Sequence, residues 1–198
     1  MSATLELTEQ LIARPSVTPH DAGCLEILGE RLNAFDFDSQ RLNFGPDNFR
    51  VSNLWAIKRC SPKGPTLVFA GHTDVVPVAS QDWDTNPFLL TESSDKFYGR
   101  GSADMKGFIA LVLSRVPEMV SCELSKPIHL AFSYDEEIGC VGVQRMLDLL
   151  EHQPIKPSCC IIGEPTGMEV VIGHKGKLAT RVKVRGHACH SGQSPLGV

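Results

Sequence analysis

The sequence has 198 residues, of which 42% are hydrophobic and 21% are charged, and its formal net charge is −4. This composition is typical of a globular protein with a sizeable apolar core, and the lack of basic runs argues against nucleic-acid binding. No segment carries the roughly 18 apolar residues that cross a bilayer, and the start lacks a signal-peptide pattern, so we expect a cytoplasmic protein that acts on a small molecule.

Predicted helices and strands alternate along the chain. Apolar residues three and four positions apart predict helices at 5–13, 22–35, 108–119 and 143–150. Short apolar runs predict strands at 52–57, 66–70, 127–133 and 158–162. We therefore expect an α/β fold with a mostly parallel sheet and flanking helices. Polar and apolar residues then alternate at 177–184, which predicts a half-exposed strand and the start of a second domain.

Side chains that bind metals follow three of the predicted strands directly. His72 and Asp74 follow the run at 66–70, Glu136 and Glu137 follow the run at 127–133, and Glu164 follows the last run. In open α/β sheets, ligands collect outside the carboxyl ends of the strands, so these side chains are expected to meet.

Each of these residues also has an ordinary interpretation when it is taken alone. A single His beside a strand is usually a satisfied core or surface residue, two adjacent Glu are usually a solvated pair, and Asp104 could be a helix N-cap. Asp74 strengthens the case for His72, because a His ligand usually donates its second ring N–H to a carboxylate or carbonyl oxygen. Together, one His and four carboxylates at strand ends fit two adjacent divalent cations. No serine-hydrolase elbow, phosphate loop or dinucleotide fingerprint competes with this interpretation.

Four motifs in order resemble the M20 metallopeptidase and deacylase family. They lie at residues 71–77 (GHTDVVP), 99–107 (GRGSADMKG), 135–137 (DEE) and 163–166 (GEPT). The resemblance implies a hydrolase of linear amides that binds two divalent ions, zinc or alternatively cobalt. It also implies an inserted α+β lid domain that forms a homodimer. On this basis, residues 1–176 would form the incomplete catalytic domain and residues 177–198 the beginning of the lid.

The resemblance also implies a role for each site residue. His72 and Glu164 would bind one metal, Glu137 the other, and Asp104 would bridge the two. Glu136 would act as the general base and Asp74 would orient His72. His190, in the lid, would stabilise the oxyanion in the partner subunit's active site.

Two resemblances within the family point to different substrates. Residues 97–109 and 164–176 are most similar to acetylornithine deacetylases, which favours removal of the acetyl group from N2-acetylornithine, a reaction of arginine biosynthesis. Residues 13–24 are closer to succinyl-diaminopimelate desuccinylases, and this activity is the alternative. Family members continue past position 198 and supply a further metal-binding His. We therefore expect a truncated form of the enzyme that binds at most one metal tightly and has negligible activity. The alternative, from a different functional class, is a non-catalytic fragment that binds a metal or a partner.

Overall fold

The computed structural model describes residues 2–45, 51–60, 66–152 and 157–173, and after these 175–176, 178, 180–183, 185–187, 189–190 and 192–193. The chain divides into two compact units, Met1–Pro165 and Thr166–Val198. The described residues of the second unit contain no α-helix or β-strand. Residues 177, 179 and 184 of the predicted strand at 177–184 lie outside the described residues. The predicted domain boundary after residue 176 stays a prediction.

The first unit contains four helices among its described residues, and all four predicted helices are present. They are α1 (Ala3–Ile12), α2 (Cys24–Asn33), α3 (Lys106–Ser121) and α4 (Gln144–Glu151). The start of α1 has an N-cap, because Ser2 Oγ accepts a hydrogen bond from Leu5 N at 3.3 Å. Among the described residues, no helix is long and apolar enough to cross a membrane.

Five strands form one mixed sheet, in the order β1, β2, β6, β3, β7. Their bounds are β1 (Asp38–Phe44), β2 (Val51–Lys58), β3 (Thr66–His72), β6 (Ile128–Ser133) and β7 (Pro157–Ile162). β3 pairs in parallel with both β6 and β7, whereas β2 is antiparallel to both β1 and β6. A separate hairpin joins β4 (Thr91–Ser93) to β5 (Lys96–Tyr98). The α/β class with a largely parallel centre is confirmed, but the sequence patterns did not predict β1 or the hairpin.

Apolar side chains fill both faces of the sheet. On one face, residues of α1, α2 and α3 such as Leu11, Leu28 and Leu113 pack with Phe132 of β6. On the other face, a smaller cluster joins Met146 of α4 to side chains of the strands. Fully buried apolar side chains contribute about 1.5–3 kcal/mol each. This packing makes the sheet a rigid base for the residues at its edge.

Candidate metal centre

The carboxyl ends of the parallel strands meet at one edge of the sheet. His72, the last residue of β3, lies opposite Ser133, the last residue of β6. Thr73 N donates a hydrogen bond to Ser133 O at 3.0 Å, so the two strands stay together for one more residue. The segments that carry Asp74 and residues 135–137 therefore leave the sheet side by side, as the sequence predicted.

Asp104 and Glu164 reach the same edge from two further elements. Asp104 lies in the turn directly before α3, and Glu164 follows β7. Gly163 packs so closely on the ring of Phe108 in α3 that a Cβ atom there would lie 1.9 Å from Phe108 Cγ. Only glycine fits this approach without a shift, so Gly163 sets the path of the chain at Glu164.

The imidazole of His72 is the centre of the arrangement, and the residue is only 2% exposed. Its Nδ1 atom lies 2.9 Å from the main-chain oxygen of Asp74. Because a carbonyl oxygen can only accept, Nδ1 carries a proton, and this leaves Nε2 as the atom that can bind a cation.

Three carboxylates face the Nε2 atom of His72. Asp104 Oδ1 lies 3.0 Å away, Glu164 Oε1 lies 3.7 Å away and Glu136 Oε2 lies 3.8 Å away. Burial by itself would lower the pKa of His72. The close approach of the Asp74 carboxylate and the negative charges of Asp74, Glu164 and Glu136 outweigh burial and raise this pKa to about 9. The metal-free site therefore holds enough negative charge to bind an extra proton where a cation would bind.

Asp74 links His72 to the acidic segment that follows β6. It is fully buried, and its Oδ2 atom accepts a hydrogen bond from Glu137 N at 3.1 Å. Its Oδ1 atom lies 3.5 Å from His72 Nδ1 and accepts no hydrogen bond from the described residues. The main-chain oxygen of Asp74 is thus the closer acceptor of Nδ1, and the predicted role of Asp74 as the residue that orients His72 stays a prediction.

Two carboxylates of the site are easier to protonate than usual. Burial raises the pKa of Glu137, and the charge of Asp104 raises it further. Burial also raises the pKa of Glu164, to which the charges of Asp104 and Glu136 add. Crowded carboxylates of this kind repel each other, and a divalent cation would relieve the repulsion.

The ligand atoms form two groups in which every atom lies within 4.8 Å of the others. One group is His72, Glu136 and Glu164, and the other is His72, Asp104 and Glu137. A neutral imidazole nitrogen with carboxylate oxygens is a donor set that zinc and cobalt accept. The residues therefore fit the divalent ions that the sequence predicted. The geometry does not separate Glu136 from the ligands, and the division of roles stays a prediction.

His190 is the one predicted site residue outside the first unit. It is exposed, and its Nδ1 atom accepts a hydrogen bond from Gly192 N at 3.1 Å. Its predicted contact with the partner subunit's active site stays a prediction.

Two residues that the sequence analysis missed hold the acidic segment. Asn53 of β2 is fully buried; its Nδ2 donates to Gly142 O at 2.7 Å and its Oδ1 accepts from Tyr134 N at 3.0 Å. It thus ties together the two ends of the loop that carries Glu136 and Glu137. Cys140 lies in this loop, and its thiol donates to Glu136 Oε1 at 3.3 Å. A polar Asn inside the apolar run at 52–57 was the only signal available in the sequence.

An α/β domain with one imidazole and four carboxylates gathered at the carboxyl edge of its sheet is typical of metal-dependent hydrolases. The family model described as peptidase family M20/M25/M40 matches residues 68–196, and the chain belongs to this family.

Known relatives are similar over nearly the whole chain. Succinyl-diaminopimelate desuccinylase of Cupriavidus necator is 42% identical over an alignment of 208 positions, which covers 100% of this chain and 54% of the relative. The enzyme of the same name from Delftia acidovorans is 44% identical and is matched over 96% of this chain and 52% of its own length. The chain therefore spans about half the length of these relatives. Their similarity favours the desuccinylase alternative over the acetylornithine deacetylase that residues 97–109 and 164–176 suggested.

Solved structures share the fold at lower identity. Human carnosine dipeptidase 1 has a TM-score of 0.71 and is 21% identical, over 80% of this chain and 38% of that protein. The M20 family metallo-carboxypeptidase Sso-CP2 of Sulfolobus solfataricus has a TM-score of 0.70 and is 22% identical, over 82% of this chain and 37% of that protein. These likenesses confirm the predicted fold class.

Proposed function

We propose that this chain supplies the metal centre of a hydrolase that removes the succinyl group from N-succinyl-diaminopimelate. The observation that carries the proposal is the arrangement of three carboxylates around Nε2 of His72 at the sheet edge. The similarity to desuccinylases over the whole chain supports the choice of substrate. The reaction would then belong to lysine biosynthesis and not to arginine biosynthesis.

The side chains would divide the work as follows. His72, Asp104, Glu137 and Glu164 would hold two divalent ions, which supply Lewis acidity that polarises the amide carbonyl and acidifies water. Glu136 would accept a proton from the attacking water and return it to the departing amine. Hydrolysis then yields succinate and diaminopimelate.

The position of Glu136 fits the role of a proton carrier. Its side chain is 35% exposed, so one oxygen can face a substrate while the other accepts the Cys140 thiol. A general base must lie within hydrogen-bond reach of the water that it deprotonates. The approach of Glu136 Oε2 to within 3.8 Å of His72 Nε2 puts this oxygen beside the site where the cations would bind.

Removal of an acetyl group from N2-acetylornithine is the second candidate function. The resemblance of residues 97–109 and 164–176 to acetylornithine deacetylases favours it. Both reactions cleave a linear amide and would use the same metal centre, so the geometry of the centre does not separate them. The difference lies in contacts to the rest of the substrate.

A direct assay distinguishes these functions. Purified protein, both as the 198-residue chain and as any longer product of the same reading frame, is loaded with zinc or cobalt. It is then tested on N-succinyl-diaminopimelate and N2-acetylornithine, with a chelator-treated sample as the control. From a longer product we expect metal-dependent release of succinate at a higher kcat/KM than release of acetate, whereas the 198-residue chain alone should show negligible turnover. A preference of the longer product for acetylornithine would support the second candidate, and bound metal without turnover of either substrate by the longer product would indicate a non-catalytic binding protein.

The homodimer and the role of His190 are part of the same proposal. If His190 acts in the partner's site, mixing a His190→Ala subunit with a Glu136→Gln subunit should restore activity in mixed dimers, because one of the two sites is then intact. Sedimentation would measure the dimer directly. No recovery of activity in a verified mixed dimer would contradict the role of His190.

A further inference from the structure

A buried lysine next to Asp104 connects the metal centre to the start of the chain. Lys106 is only 1% exposed, although lysine is rarely buried to this extent. Its Nζ atom donates to Leu11 O at 2.9 Å and to Arg14 O at 2.6 Å. Its main-chain N donates to Gly101 O at 2.9 Å and so closes the turn that contains Asp104. The ammonium group therefore holds this turn against the segment after α1.

The same segment is attached to the end of β3. Arg14 O, which accepts from Lys106, also accepts from Ser16 N at 2.8 Å. Ser16 is fully buried, and its Oγ donates to Thr73 O at 2.6 Å. Ser16 O in turn accepts from Val75 N at 3.1 Å. The residues on both sides of Asp74 are thereby fixed to residues 14–17.

Residues 14–17 thus form a bracket between two pieces of chain that carry candidate metal ligands. The turn with Asp104 is attached to the bracket through Lys106. The strand end with His72 and Asp74 is attached through Ser16. The two attachments meet at a single oxygen atom, Arg14 O, so a shift of one piece is transmitted to the other.

The chemistry of Lys106 indicates a positional role beyond packing. Burial of an ammonium group is costly and lowers the pKa of Lys106, so an apolar side chain would fill the same space at a smaller cost. What the ammonium adds is two hydrogen bonds to carbonyl oxygens near the carboxyl end of α1, where cations are favoured. The side chain of Asp104 is 49% exposed, so its own packing does little to fix the carboxylate. Its position depends on the turn, which Met105 also anchors by packing on Gly71.

We propose that Lys106 and Ser16 are positioning residues of the metal centre, which hold Asp104 and His72 at the spacing that a shared cation requires. The observed spacing is 3.0 Å between His72 Nε2 and Asp104 Oδ1. The inference rests on the metal centre of the proposed function and is independent of the acyl amino acid that the enzyme cleaves.

The test measures cobalt binding by the 198-residue chain and needs no turnover. Lys106→Met and Ser16→Ala remove the two attachments separately. Lys58→Met is the matched control for the lysine, because Lys58 Nζ also donates to two carbonyls, Phe35 O at 2.7 Å and Asp36 O at 3.4 Å.

Thr8→Val is the matched control for the serine. Thr8 is a buried residue of α1 whose Oγ1 donates to Thr4 O at 2.8 Å, so it loses a similar bond outside the bracket. Each variant is checked for folding by circular dichroism and urea unfolding. Co²⁺ affinity is then measured by chelator competition, and the d–d absorption bands report the coordination geometry.

We expect Lys106→Met and Ser16→Ala each to weaken Co²⁺ binding by about tenfold or more, the range seen when groups that orient metal ligands are removed, and to change the d–d bands. The two controls should keep wild-type affinity and spectra. Wild-type binding in the folded bracket variants, or equal losses in the controls, would overturn the inference. If Lys106→Met does not fold, Ser16→Ala decides the outcome. A wild-type chain that binds no Co²⁺ would overturn the inference together with the proposed metal centre, whereas failure of the succinyl assay alone leaves it standing.

Discussion

Replacement of Asp74 by Asn tests whether the buried carboxylate sets the charge of His72. The substitution keeps the shape of the side chain and leaves an oxygen that can accept from Glu137 N. It also keeps the closest acceptor of His72 Nδ1, the main-chain oxygen of residue 74 at 2.9 Å. The change therefore removes a negative charge 3.5 Å from Nδ1 and places an amide nitrogen there, which also disfavours a proton on the imidazole.

The expected magnitude follows from the distance. A pair of unit charges about 4 Å apart interacts by about 1 kcal/mol in water and about 4 kcal/mol in partly buried surroundings. This range corresponds to roughly one to three pH units in the pKa. The rise of the His72 pKa from 6.5 to about 9 lies within it, and Asp74 contributes the largest effects that raise this pKa. We expect Asp74→Asn to lower the pKa of His72 by at least about one pH unit.

The assay is an NMR titration of the imidazole groups in the metal-free chain, with His72→Gln used to assign the signal. Asp82→Asn is the control, because it removes an equal charge from an exposed position. Zinc competition on the same proteins should show binding weakened by about 10- to 100-fold for Asp74→Asn only. An unchanged His72 pKa in Asp74→Asn, or an equal decrease in Asp82→Asn, would refute the reasoning.

Four further outcomes are expected. Glu136→Gln in an active form should abolish turnover and keep the bound metal, because a general base need not be a ligand. Metal analysis beside the succinate assay measures metal content and turnover, and retained turnover would contradict the role of Glu136 as the general base. Asp104→Ala should lose metal, since a bridging carboxylate serves both ions, and unchanged metal content would exclude the bridge. Asn53→Leu should destabilise the chain by about 1–3 kcal/mol in urea unfolding, because Tyr134 N and Gly142 O lose buried partners; wild-type stability would contradict this. Without metal, the contribution of His72 to the free energy of unfolding should be full below pH 6.5 and should be lost as the pH rises through about 9. Bound zinc should instead stabilise the chain more at high pH. Melting temperatures across this range, with and without zinc, measure both trends, and a metal-free melting temperature that rises with pH would contradict the first.

Two of the strands that carry the site, β3 and β6, could be predicted because their environment is uniform, whereas β7 was predicted from its apolar run although it is an edge strand that is largely exposed. β3 and β6 lie in the middle of the sheet, so their residues are apolar almost throughout. β1 is an edge strand with the sequence DSQRLNF, which contains neither a continuous apolar run nor a clear alternation. The β4–β5 hairpin has only three residues in each strand and is largely exposed. Burial on both faces leaves a signal in the sequence, and a polar edge does not.

The metal-binding residue types were predictable for a related reason. Parallel strands bring their carboxyl ends together wherever they lie in the sequence, so residue type and position after a strand were sufficient for His72, the Glu pair and Glu164, whereas Asp104 was placed by its motif. Asn53 and Lys106 were missed because their partners are main-chain atoms 81 to 95 residues away. Main-chain atoms are the same in every residue and leave no mark in the sequence. Such contacts follow only from the complete fold.

The two substrate resemblances conflict because they sample different parts of the chemistry. Residues 97–109 contain Asp104 and residues 164–176 contain Glu164, so both segments report on the metal centre, which every deacylase of this kind needs. Discrimination between a succinyl and an acetyl group arises from contacts to parts of the substrate away from the scissile amide, which differ in the transition states of the two reactions. Similarity over the whole chain includes residues outside the centre and is therefore the better guide to the substrate. A ratio of kcat/KM values for the two substrates measures this discrimination directly, whereas metal content and the identity of the base do not depend on it.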